Sequence, residues 1–124
     1  CGPCEASMPH LQKTYERYKS QGVDVYASCT ADAHGPFEQW VARNRNRYTF
    51  PVAFDPAGRG PDRASYRLYG VDGIPTQFVI GTDGKVVAVI VGYDGPTDHR
   101  LEHALAEAGV KVGRSSQAPA PVGA

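Results

Sequence analysis

The first four residues, "CGPC", set two thiols three positions apart. On a helix, residues at that spacing share a face, so Cys1 and Cys4 can close a disulfide across the first turn with little backbone movement. Cys1 would sit at the helix N-terminus, where unsatisfied N–H groups and the helix dipole favour a thiolate, which makes it the attacking sulfur. Cys4, one turn inside and more shielded, is suited to attack a mixed disulfide once Cys1 has bonded to a substrate. Pro3 is tolerated because a first-turn position has no intrahelical N–H bond to lose. Pro9 lies inside the same helix, removes a bond and predicts a kink.

Other chemistry could use these residues. Zinc also binds C-x-x-C pairs, and Cys29 with His34, at C-x4-H spacing, could complete its four ligands. A copper-delivery site would want a longer spacer and a committed histidine. Cys29 ends an apolar strand, where a buried, inert thiol is the first reading and a redox partner the second. His99 and His103, four apart, lack a third ligand and read as solvated surface, and His10 carries no signal of its own. Trp40, Tyr15, Tyr18, Tyr66 and Tyr69 fall at helical spacing and read as core or groove walls. "GRG" and "GTDG" are turns, since the helix and lysine of a phosphate loop are missing. A lipid-bearing first cysteine would leave Cys4 without a partner.

Composition narrows the field. A chain of 124 residues suits one domain that can bury a core without disulfide staples. Thirteen basic and thirteen acidic residues cancel, which removes the overall basic footprint of a nucleic-acid binder. The longest apolar run, "VVAVIV", is far short of the roughly 20 residues that cross a bilayer. No signal peptide can be read. An odd count of three cysteines argues for a reactive pair and one leftover.

The elements that must position the pair follow from periodicity. Met8, Leu11, Tyr15 and Tyr18 predict an amphipathic helix over Glu5 to Ser20, stopped at Gly22. A strand is expected from Val23 to Cys29, then a helix with Phe37, Trp40 and Val41 on one face, and a short strand from Phe50 to Phe54. Asp62 is positioned to cap a third helix, "RASYRLY", ended by Gly70. "TQFVI" and "KVVAVIV" form a hairpin with Asp83-Gly84 at positive φ, and Thr97 offers the N-cap of a last helix lined by Leu101, Ala104, Leu105 and Ala108. The domain is expected over residues 1–112, and residues 113–124, "GRSSQAPAPVGA", read as a flexible tail or linker.

"CGPC", a proline five residues after Cys4, "YGVDGIPTQFVI" and the "DGKVV" hairpin together resemble the thioredoxin superfamily. "MPHLQKTYERYKSQGVDVYA", the inserted helix around Trp40 and "FPVAFDP" before "LYGVDGIPT" are most similar to TlpA-like, extracytoplasmic bacterial thiol-disulfide oxidoreductases, over residues 1 to about 110. The resemblance implies an α/β fold, a central mixed sheet flanked by helices, and thiol-disulfide exchange with protein partners and an upstream redox partner. Cys1 becomes the attacking and Cys4 the resolving cysteine. Pro75 becomes the cis-proline facing them. Ile74 would pair its backbone with substrate, and Gly2, Pro3 and Thr76 would complete the binding surface. No organic cofactor or metal is implied, since the cysteines carry the two electrons.

The chain departs from the family at Ser7, where a glutamate is frequent, which leaves proton transfer to Cys4 without its usual group. Glu5 would point to a different face. The family's strand before the motif, which runs between the strands at 23–29 and 76–80, has no counterpart ahead of Cys1, so the chain is expected to be a fragment of a longer polypeptide. The Gly-Pro spacer suggests a reductant, nearer about −270 mV than the roughly −120 mV of strong oxidants. A peroxiredoxin would need a threonine three residues before its reactive cysteine, which is absent. The non-enzyme alternative is a thioredoxin-fold module whose pair binds metal, with Cys29 and His34, or is structurally oxidised.

Overall fold

The computed structural model describes residues 1–113, so residues 114–124 of the expected tail lie outside the described residues. Helix α1, Gly2–Tyr18, starts at the cysteine pair and continues on both sides of Pro9, although the proline has no N–H to give the Glu5 carbonyl. Its buried residues are Ser7, Gln12, Thr14 and Tyr18, where the apolar spacing had put Met8, Leu11, Tyr15 and Tyr18. Ser7, Gln12 and Thr14 are tolerated there because each finds a partner. Ser7 Oγ donates to the Cys4 carbonyl at 2.7 Å, and Thr14 Oγ1 to the His10 carbonyl at 3.0 Å. Gln12 Nε2 donates to Thr49 Oγ1 at 2.8 Å while its Oε1 accepts the Thr49 N–H at 2.9 Å, which pins α1 to the segment before the second strand.

After a 3-10 turn at Lys19–Gln21, Gly22 takes a left-handed conformation, φ 84°, and redirects the chain. Strand β1 is Ala27–Cys29, shorter than the expected run because only these residues find a ladder partner. Helix α2 is His34–Asn44, and β2, Val52–Phe54, pairs in parallel with β1, Ala27 opposite Val52 and Cys29 opposite Phe54. Helix α3, Ala64–Tyr69, leads to the hairpin of β3, Thr76–Ile80, and β4, Val86–Val91, and the described elements end with α4, Arg100–Glu107. The single mixed sheet expected is present as two pairs, β1 with β2 and β3 with β4. Among the described residues no ladder joins β1 to β3.

Three expected turn and cap residues are corrected. Only Gly84 has positive φ in the hairpin turn, while Asp83 accepts the Lys85 N–H through Oδ1 at 3.0 Å. Asp62 does not cap α3. Asp55 does so from a distance, Oδ2 accepting the Ala64 N–H at 2.7 Å and Oδ1 the Ala57 N–H at 2.9 Å. Those two bonds hold its carboxyl below its ordinary pKa. Thr97 yields to Asp98, whose Oδ1 accepts the Arg100 N–H at 3.2 Å. The Arg100 guanidinium then bonds Asp98 and the carbonyls of Val91 and Gly92, tying the end of β4 to α4. Hydrogen bonds donated by the Arg100 guanidinium drive the Asp98 carboxyl far below the usual carboxylate range.

The core lies between the hairpin, α4 and the end of α1, where Tyr18, Val79, Ile90, Ala104 and Leu105 pack together with Leu101 and Ala108 against them. Leu105→Ala opens a cavity at that junction and is expected to cost about 2–4 kcal/mol, read as a lowered urea midpoint with unchanged slope.

Candidate active site

Both sulfurs ride on the first turn of α1. Cys1 is the N-cap residue and its Sγ accepts the Cys4 N–H at 3.2 Å, so an otherwise orphaned helix donor points at the attacking sulfur. Cys1 and Cys4 are bridged, with Cα atoms 5.2 Å apart. Cys1 is exposed and Cys4 partly buried, with Gly2 and Pro3 exposed between them.

The loop before β3 reaches this turn. Cys1 Sγ lies 3.9 Å from the Ile74 carbonyl oxygen, and the Ile74–Pro75 peptide bond is cis. The Pro75 carbonyl accepts the Gly92 N–H at 2.8 Å and Thr76 Oγ1 donates to the Gly73 carbonyl, so the hairpin and its own side chain hold the loop. Ile74, 40% exposed, stands before the first ladder pair, Thr76 opposite Val91. Cys1, Ile74 and Pro75 are thus brought together, while the Thr76 hydroxyl is spent on loop geometry.

Cys29 and His34 stand otherwise. The Cys29 thiol is half-buried and 3.9 Å from Asp32 Oδ2. His34 pairs with Glu38 at 2.7 Å and packs on Phe54. Among the described residues no cluster of three or more His, Cys, Asp or Glu has a metal-holding arrangement.

Several residues around the site escaped sequence reasoning. Glu5 Oε1 accepts the Trp40 indole N–H at 3.1 Å, which joins the residue after Cys4 to α2. His10, two turns below the bridge, forms an ion pair with the buried Glu102 of α4, and Tyr93 stands edge-on to its ring at 6.0 Å. His99 is the N-cap residue of α4 and its Nδ1 lies 4.0 Å from Glu102 Oε2, so it is not part of the solvated pair with His103 that the spacing suggested. Tyr66 and Tyr69, expected as core or groove walls, are about half exposed, Tyr66 under the Arg63 guanidinium and Tyr69 against Phe78. A glutamate two residues before the buried pair Ala104 and Leu105 gives no sign in the sequence that it will be buried; the signal is the partner, and that is a tertiary contact.

Two bridged cysteines on the first turn of a helix, set against a proline loop in an α/β fold, define a thioredoxin-like domain. The Redoxin family matches residues 1–105. The chain belongs to this family, within the TlpA-like branch of the thioredoxin superfamily. It is 36% identical over 92 residues to Thiol-disulfide oxidoreductase ResA of Bacillus anthracis, covering 74% of this chain and 49% of the relative. With the ResA of Halalkalibacterium halodurans it shares 36% over 104 residues, covering 82% and 53%. The crystal structure assigned to a thiol:disulfide interchange protein DsbE from Chlorobium tepidum superposes with a TM-score of 0.72 at 38% identity, covering 87% of this chain and 72% of that one. The chain therefore spans about half the length of the curated relatives it matches.

The His10–Glu102 pair has a measurable signature. The hydrogen bond that His10 donates to the Glu102 carboxylate raises the His10 pKa above 6.5, with Glu102 and Asp98 charges adding to it and burial and Lys13 opposing. A raised folded pKa means stability that is fully present below the unfolded value and lost as pH rises through the folded one. Urea midpoints are expected to fall as pH is taken upward from about 6.5, and His10→Gln to flatten that slope. An unchanged slope in the variant would remove the pair from the account.

Proposed function

We propose that the chain is the redox domain of a thiol-disulfide oxidoreductase that acts on protein partners. The observation that carries this reading is the Cys1–Cys4 bridge on the helix N-terminus, with the Cys4 N–H aimed at Cys1 Sγ and the Ile74 carbonyl 3.9 Å away.

In the reducing direction the Cys1 thiolate attacks one sulfur of a substrate disulfide. The substrate S–S bond breaks, a Cys1–substrate disulfide forms, and the first substrate sulfur leaves as a thiolate that takes up a proton. Cys4 then gives up its proton and attacks Cys1 Sγ, which releases the second substrate sulfur and closes the bridge. Two electrons pass from the cysteine pair to the substrate, and an upstream dithiol partner must return them for another turnover. The N–H donor and helix dipole favour Cys1 as the thiolate, both as attacker and as the group displaced in the reverse reaction. Ile74, exposed and outside the hairpin ladder, offers its backbone to an extended substrate segment, with Gly2, Pro3 and Pro75 as neighbouring surface. Ser7 cannot serve as the carboxyl base the family frequently has at that position. Its hydroxyl donates to the Cys4 carbonyl instead.

The Gly-Pro spacer favours a reductant, with a potential nearer about −270 mV than the roughly −120 mV of strong oxidants. An extracytoplasmic setting, where disulfides persist and must be reduced selectively, fits that role. A metal-binding reading gains no support from Cys29 or His34, which are engaged with Asp32 and Glu38.

Equilibration of the full-length protein in glutathione and dithiothreitol buffers is expected to give one reversible two-electron transition. Cys1→Ala should abolish disulfide reduction. Cys4→Ala should stall it with substrate covalently held on Cys1, visible as a mass adduct. Absence of the transition, or an adduct on Cys4 instead, would overturn the assignment of roles.

A further inference from the structure

The end of α2 and the five residues "RNRNR" carry a charge cluster that the exchange chemistry does not use. Arg43, Arg45 and Arg47 are exposed, and the ion pairs among the described residues are made by His10, His34, His99 and Arg100 instead. The dipole of α2 favours a cation in its last turn, as at Arg43, but three cations within five residues repel one another, and among the described residues none of them forms a salt bridge.

Beside them is an aromatic platform. Trp40 and Tyr48 stack with ring centroids 5.7 Å apart and planes 13° from parallel, and the Arg47 guanidinium lies 5.1 Å from the Tyr48 centroid. Trp40 and Tyr48 line a cavity of about 190 Å³ together with Glu5, Met8 and Pro9 of α1 and with Asn44 and Arg47. They also line a cavity of about 310 Å³ with Val41, Phe50 and Val52, and with Arg45. Glu5 is the residue after Cys4 and is bonded to Trp40, so the platform adjoins the reactive turn.

We propose that this surface docks an acidic segment of the partner protein, with an apolar side chain of that segment entering the larger cavity and its carboxylates meeting Arg43, Arg45 and Arg47. The proposal rests on the exchange reading and names the substrate class for it. Arginine beside tryptophan and tyrosine is the composition that concentrates binding energy in protein interfaces. Charge complementarity of this kind raises encounter rates and selects among partners. A lipid surface fits less well, because three cations fall short of the clusters of about 4–8 that hold a protein to anionic membranes. A nucleic acid fits less well again, because three arginines at one helix end make a smaller footprint than the basic stripe that tracks a phosphate backbone.

The test compares three substrates of the full-length protein: neutral hydroxyethyl disulfide, a cyclic disulfide peptide flanked by aspartates and a leucine, and the same peptide flanked by serines. At low salt kcat/KM is expected to be about tenfold higher for the acidic peptide, an advantage that shrinks as salt rises. The triple variant Arg43→Ser, Arg45→Ser, Arg47→Ser should lose that preference while reducing hydroxyethyl disulfide at the parent rate. Trp40 is the one tryptophan of the chain, so a cysteine-free acidic peptide should shift its emission in the parent and not in the triple variant. Equal rates for the two peptides, with hydroxyethyl disulfide reduced normally, would defeat the docking surface and leave exchange standing. Failure to reduce hydroxyethyl disulfide would defeat the exchange reading beneath it. Loss of binding to phosphatidylglycerol vesicles in the variant, with no peptide preference in the parent, would reassign the arginines to lipid.

Discussion

Both reactive sulfurs belong to the end of one helix, so whatever holds α1 in place also sets the chemistry. The hydrogen bond from the Cys4 N–H to Cys1 Sγ exists only while the first turn is helical. That turn is kept by contacts along the whole length of α1. Glu5 meets Trp40, His10 meets Glu102, Gln12 straddles Thr49, and beyond the helix Gln21 bonds both the N–H and the carbonyl of Lys111 at 2.9 Å. Most of these clasps are polar and directional. A greasy stripe alone could let the helix slide or roll, whereas a bidentate amide bond fixes its register.

The opposing half of the site is positioned by a different device. The Ile74–Pro75 loop is the entry to β3, and β3 is locked to β4 by the ladder and by the Gly92 bond to the Pro75 carbonyl. Arg100 then fastens the end of β4 to α4, whose Ala104 and Leu105 pack on the hairpin and on Tyr18 of α1. The core therefore couples the two halves: apolar burial brings α1 and the hairpin together, and hydrogen bonds decide where the Ile74 carbonyl stands relative to Cys1.

Charge has the same two-level character. A formal sum of zero is true of the chain and says nothing about Arg43, Arg45 and Arg47, which gather at the end of α2 beside an aromatic stack. The sum governs bulk behaviour such as solubility, whereas recognition is governed by local fields within about a Debye length of 8–10 Å.

Chain order, the helix at the cysteine pair, the hairpin with Gly84 at its turn, and the proximity of Cys1 to Cys4 were all legible in residue order, because each depends on spacing within a few positions. The caps were not. Asp62 and Thr97 were the candidates by residue type, but Asp55 is carried by the fold to the start of α3 from nine positions before Ala64, and at α4 the neighbouring Asp98, two positions before Arg100, takes the role from Thr97. The buried side of α1 was misread for a related cause: Ser7, Gln12 and Thr14 are polar by type and interior by circumstance, made acceptable only by partners that the folded chain supplies. His10, silent as a lone histidine, acquired meaning from Glu102, ninety-two positions away. Local periodicity is set by short-range sterics and is written in the sequence. Pairing between distant polar groups depends on where the backbone has carried them, and only the tertiary structure decides that.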